Sequence, residues 1–168
     1  MRSKSKLTGE CNLVLQINDW VFDIDVEKTK EHSTFALKNH CICGYCVNYY
    51  TCVNEVYPDL KPFLEGFFLE IEGPSEMYPI EPTLYLIGYK IYGTIKQVGN
   101  GPIMINGLPI MGEKIEEETF KLEVGEIPVP WVLEEDMNEI ISPANEPECL
   151  ERMYKRLIER NSGSFIFS

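Results

Sequence analysis

The stretch from residue 83 to residue 98 constrains this chain more than any other. Tyr85, Ile87, Tyr89, Ile91 and Ile95 recur there at alternate positions. A period of two places all five on one face of an extended strand. So long a strand needs ladder partners for its backbone and a layer to cover its apolar face. Gly88 and Gly93 interrupt the run as bulges or bends.

Further β grammar lies on both sides. Leu13, Leu15 and Ile17, then Trp20, Phe22 and Ile24, form two alternating runs separated by Asn18-Asp19. Two such runs around two turn-forming residues predict an N-terminal β-hairpin. Residues 67–71 read as a strand, followed by a loop punctuated by Pro74, Pro79 and Pro82. Gly99-Asn100-Gly101 and Asn106-Gly107 bracket a short strand around Ile103–Ile105. Phe120, Leu122 and Val124 alternate with Lys121 and Glu123, which predicts a strand with one wet face. Pro128 and Pro130 limit residues 127–133 to an edge strand or an extended cover.

Helical patterns separate and follow these runs. Asp25 is placed to cap a helix from Val26 to Lys38, with Glu27 complementing its positive end. Its less polar side holds Val26, Thr29, Ser33, Ala36 and Leu37. A second helix is expected from Gly44, with Cys43, Cys46, Tyr50, Val53 and Tyr57 as its inward stripe and Cys52 on another side. A short third helix after Pro58 turns Leu60, Phe63 and Leu64 inward and stops at Gly66. Residues 134–141 read as an acidic connector. A last helix is expected over 146–160, capped by Asn145, and a terminal strand over 164–168. The sum is an α+β chain: residues 1–10 as a loose basic tail, and 11–168 as one domain with a hairpin, helices, an antiparallel sheet and a C-terminal helix. A length of 168 residues suffices for such a core.

Chemistry concentrates in residues 40–46, where His40, Cys41, Cys43 and Cys46 fall within seven positions. The apolar runs are short and no signal-peptide core follows the basic start; Leu7–Cys11 brushes against a lipoprotein motif that Glu10 breaks. These features favour a cytoplasmic chain with reduced thiols. Cys41, Cys43 and Cys46 then supply three candidate ligands for zinc, with His40, His32, Cys52, Cys11 or Cys149 as the fourth. Zinc is the one cofactor suggested, and the plain alternative is none, with the thiols as small apolar core residues. Cys43-Gly44-Tyr45-Cys46 also resembles the Cys-Gly-x-Cys of thiol oxidoreductases, but those motifs follow a buried strand. No hydrolase, metalloprotease, phosphate-loop or dinucleotide motif occurs.

Net charge is −12, and residues 58–145 carry five Lys/Arg against sixteen Asp/Glu. That sign disfavours nucleic acid and anionic membranes and favours encounter with a basic protein partner. Glu116, Glu117, Glu118, Glu134 and Glu135, with Tyr85, Tyr89 and Trp131, are the candidate partner-binding residues.

Several short segments also resemble a loosely defined group of uncharacterised bacterial proteins. These are Phe22-Asp23-Ile24-Asp25 with Thr29, Cys43-Gly44-Tyr45-Cys46-Val47-Asn48-Tyr49, and Pro58-Asp59-Leu60 with Phe63, Leu64 and Gly66. Glu72-Gly73-Pro74-Ser75-Glu76 and Pro130-Trp131-Val132-Leu133 complete the set. The likeness is scattered over residues 20–135 and implies no activity, though small acidic proteins of this kind are often immunity or antitoxin partners. The expectation is therefore a non-enzymatic acidic binding module of immunity or inhibitor type. Zinc binding at the cysteine cluster is the alternative, and a thiol redox enzyme the third.

Overall fold

The computed structural model describes residues 3–8, 11–81 and 83–133. They form an α+β fold organised on one long strand. In chain order the elements are β1 (Ser3–Thr8), β2 (Asn12–Ile17), β3 (Trp20–Asp25), α1 (Val26–Lys38), α2 (Gly44–Val56) and α3 (Leu60–Glu65). Then come β4 (Glu76–Glu81), β5 (Leu84–Gln97), β6 (Ile103–Ile105), β7 (Leu108–Glu116) and β8 (Thr119–Pro128).

The sheet runs β1-β2-β3-β5-β8-β7-β6, with β4 also on β5, and every pairing is antiparallel. The long strand β5 meets β4 through its first half, β3 through its second half, and β8 on its other edge. Gly93 marks where β3 comes in. Its φ is +148°, and a Cβ there would lie 2.0 Å from the Asp23 carbonyl oxygen. Only glycine lets the two backbones approach so closely. Gly88, by contrast, stays in regular register, opposite Glu123 on one side and Glu76 on the other.

The inward faces carry the predicted residues. Tyr85, Ile87, Tyr89 and Ile91 of β5 pack with Phe22 and Ile24 of β3 and with Phe120, Leu122 and Val124 of β8. Phe22 is the centre of this cluster, stacked on Trp20 and Phe120 and edge-on to Phe67. Helix α1 is capped as expected, the Asp25 carboxylate accepting from the Lys28 N–H at 3.1 Å. It is tied to the sheet by Thr29, whose Oγ1 donates to the Tyr92 carbonyl and accepts from the Tyr92 N–H.

Five sequence-based expectations need correction. The basic start is not a loose tail throughout: Ser3–Thr8 pairs in register with β2, which would otherwise present an unpaired edge. Residues 67–71 are not a strand. Phe67, Leu69 and Ile71 are buried alternately, but in a wrapping turn held by Ser33 Oγ accepting from the Glu70 N–H. The loop expected around Pro79 contains β4, where that proline tolerates its place because β4 pairs on one side only. A further strand, β7, went unpredicted. Finally, the inward face of α2 is Tyr45, Cys46, Asn48, Tyr49, Cys52 and Val53. Cys52 is thus buried, and the face is rotated by about one residue from the expected stripe.

Residues 128–133 cover the open end of the core. Asn48, wholly buried, donates to the Pro130 carbonyl at 3.0 Å and accepts from the Val132 N–H at 2.7 Å. The expected acidic connector, C-terminal helix and terminal strand lie outside the described residues. No helix among the described residues is long and apolar enough to cross a membrane.

Candidate metal centre

The cysteine cluster sits where α1 hands over to α2. Asn39 closes α1, its backbone N–H and its side-chain amide both donating to the Phe35 carbonyl. The chain then turns through His40, Cys41 and Ile42 to Cys43, which is the N-cap of α2 with an extended backbone. The Cys43 carbonyl accepts from the Val47 N–H at 2.9 Å, while its side chain makes no capping bond. Cys46 follows three residues later in the first helical turn, where side chains point back toward the helix start.

This geometry brings three sulfurs together. The Sγ atoms of Cys41, Cys43 and Cys46 all lie within 4.8 Å of one another. Cys46 is wholly buried, and Cys41 and Cys43 are half-buried. Tetrahedral zinc with Zn–S bonds of about 2.3 Å would hold its sulfurs about 3.8 Å apart. The cluster is therefore at most about 1 Å too wide, which rotation of the two half-buried side chains can close. The start of α2 also offers the positive end of a helix dipole, which favours negative charge on the sulfurs. These three residues could hold a metal ion.

The other candidate ligands are placed differently. His40 Nδ1 lies 3.1 Å from the Glu72 carbonyl oxygen. A carbonyl only accepts, so Nδ1 carries the proton and Nε2 keeps its lone pair in the neutral ring. The ring rests against Tyr50, centroids 4.8 Å apart, but does not join the three converging sulfurs. His32 is bonded to Ser75 Oγ at 3.2 Å. Burial first, and Lys90 second, pull its pKa below the ordinary value. Cys52 turns away to the Asn48 carbonyl, 3.1 Å distant, and burial pushes its thiol up. Cys11 is exposed beside Glu27, and Cys149 lies outside the described residues. The element before the cluster is a helix, not the buried strand of a thiol oxidoreductase.

A cleft of about 560 Å³ opens beside the sulfurs, lined by all three cysteines together with His32, Phe35, His40, Ile42, Tyr50, Ser75 and Met77. Tyr50 feels every thiol: burial, then Cys46, Cys41 and Cys43, push its hydroxyl well above the ordinary range. Sequence reasoning placed Tyr50 on the core stripe and Ser75 in a loop, and gave no signal that either lines this cleft. Tyr50 comes in on α2, and Ser75 because residues 72–75 pass the end of α1. Gly73 approaches so closely there that a Cβ would lie 3.0 Å from the Leu37 nitrogen.

The proposed partner-binding residues do not form one surface. Tyr85 and Tyr89 are wholly buried and donate to the Tyr45 and Ile71 carbonyls. They are core residues, a correction that follows from their place on the inward face of β5. Trp131 is half-buried and edge-on to Tyr45. Glu116, Glu117 and Glu118 are exposed at the β7–β8 turn, and Glu134 and Glu135 lie outside the described residues.

Comparisons with protein-family models, with curated proteins and with solved structures give no match.

Proposed function

We propose that this chain is a zinc-binding protein whose metal is held by the thiolates of Cys41, Cys43 and Cys46. The observation that carries the reading is the convergence of three sulfurs at one helix start. Soft thiolates select zinc, Cu(I) and iron–sulfur clusters over magnesium or calcium. Among these, zinc suits three thiolates in a tetrahedral set with imidazole close by. His40 supports the reading as a neighbour whose unprotonated nitrogen is fixed by the Glu72 carbonyl. Protein purified without added metal or chelator should carry about one zinc per chain, as a single three-thiolate centre requires. Metal-free protein that also fails to take up zinc in a competition titration would contradict the reading.

A second reading rests on a different place. The exposed Glu116–Glu118 turn follows directly on exposed Ile115 of β7, and Met111 further up that strand and Met104 on β6 are exposed too. Carboxylates next to flexible apolar side chains suit recognition of a basic protein surface. Lysine substitutions at the three glutamates should slow association with such a partner at low salt, and unchanged rates would remove this reading.

A further inference from the structure

We infer that the imidazole of His40 is the fourth ligand, and that the resulting closed zinc site pins residues 70–75 to the junction of the two helices. The inference rests on the zinc reading above and adds what completes the centre and what it fastens. Structural zinc takes four protein ligands in a tetrahedron, and three thiolates with one imidazole are a usual set. A ligating histidine nearly always donates its other ring N–H to a carboxylate, a backbone carbonyl or water, which fixes the tautomer and the ring plane. His40 has that arrangement. Its Nδ1 lies 3.1 Å from the Glu72 carbonyl oxygen, which leaves Nε2 with the lone pair a metal needs.

His40 lines the same cleft as Cys41, Cys43 and Cys46. The Tyr50 ring stands by both groups: its centroid is 4.8 Å from that of the imidazole, and its hydroxyl feels all three thiols. The imidazole stands outside the group of converging sulfurs, so it moves in as the metal binds. Residues 40–42 belong to neither helix nor strand. Successive side chains there are not held on opposite faces, as a strand would hold them, so His40 and Cys41 can reach one ion from adjacent positions. Binding forms three Zn–S bonds and one Zn–N bond, and the three thiol protons leave to the buffer. No electron is transferred.

The Glu72 contact extends the effect of the metal. Residues 70–75 already hang on α1, where the Glu70 N–H donates to Ser33 Oγ at 2.8 Å and Ser75 Oγ lies 3.2 Å from His32 Nε2. With zinc on Nε2, the Nδ1–H bond to Glu72 ties the same segment to the start of α2 through Cys43 and Cys46.

The test uses the full chain loaded with Zn²⁺, read by X-ray absorption and by amide hydrogen exchange. The expected shell is three sulfurs and one nitrogen, with the outer-shell scattering of an imidazole. That scattering should vanish in His40→Ala and persist in His32→Ala. His40→Ala should also lower zinc affinity at least about tenfold, the smallest loss usual even for outer-shell changes. The Gly73 and Ser75 amides, which donate to the Glu70 and Gly88 carbonyls, should exchange more slowly with zinc in the wild type. In His40→Ala, with enough zinc to fill the site, only the cysteine segment should be slowed. Four results would overturn the inference while sparing the zinc reading. They are a wild-type shell of four sulfurs, a shell without imidazole scattering, imidazole scattering or affinity that survives His40→Ala, and zinc protection of Gly73 and Ser75 that His40→Ala leaves intact. A chain that binds no zinc would overturn both.

Discussion

Asn48 is a polar side chain set in the buried face of α2, and its amide makes both of its bonds to the covering segment. Asn48→Ala would leave the Val132 N–H and the Pro130 carbonyl without these partners. A cost of about 2 kcal/mol is expected from such unmade bonds, read as a shift in the urea midpoint. Gly93 is held by a different constraint. Any side chain meets the β3 backbone at a positive φ, so Gly93→Ala should destabilise by about 3 kcal/mol or more; a loss below about 1 kcal/mol would show that β3 can move away. His32 gives a pH dependence. Burial and Lys90 hold its folded pKa below 6.5. The unfolded chain therefore takes up a proton near pH 6.5 that the folded chain resists. The stability this neutral ring contributes is full above that pH and drains as pH falls toward the lower folded value. His32→Asn should flatten the stability profile as pH falls through about 6.5 and below in urea titrations, and an unaltered slope would assign the acid loss to other groups.

Much of the element order was legible, and the failures have physical causes. The β2–β3 hairpin, the limits of α1 and the start of α2 follow from alternation, from the Asp25 cap and from Gly44. The long run of β5 was readable because burial on one face imposes period two. Strand β4 was hidden by Pro79, which marks a strand paired on one side as readily as a loop. Strand β7 mixes Met111, Glu113 and Ile115 on a largely exposed face, so its sequence shows no clean alternation. Residues 67–71 show the converse error, since alternate burial without ladder bonds is not a strand. The cysteine cluster was legible as residue types at close spacing. The cleft was not, because Ser75 and Met77 reach it from a distant part of the chain. If the cluster holds metal, the effect should be local. Zinc should slow amide exchange most across residues 40–47 and least in β5 and β8, because of the three cysteines Cys46 alone belongs to the buried core, with Cys41 and Cys43 packed against its edge. Equal protection of the whole chain would mean that metal and global folding are coupled.

At the scale of the whole molecule, a net charge of −12 and the cysteine cluster act over different ranges. The charge governs encounter and weakens with salt over a screening length of about 8 Å at physiological ionic strength. The thiol cluster is short-range and pH-dependent, since each sulfur must lose a proton to bind. Zinc affinity should therefore rise with pH, while association through the Glu116–Glu118 turn should be sensitive chiefly to salt. The central claim is that Cys41, Cys43 and Cys46 together hold one zinc. It is tested most directly by elemental analysis of the wild-type chain beside a Cys41→Ser, Cys43→Ser, Cys46→Ser variant, both purified without added metal. The account predicts about one zinc per chain in the wild type and none in a variant that keeps the native circular dichroism. Zinc absent from both, or retained by the triple variant, would contradict it.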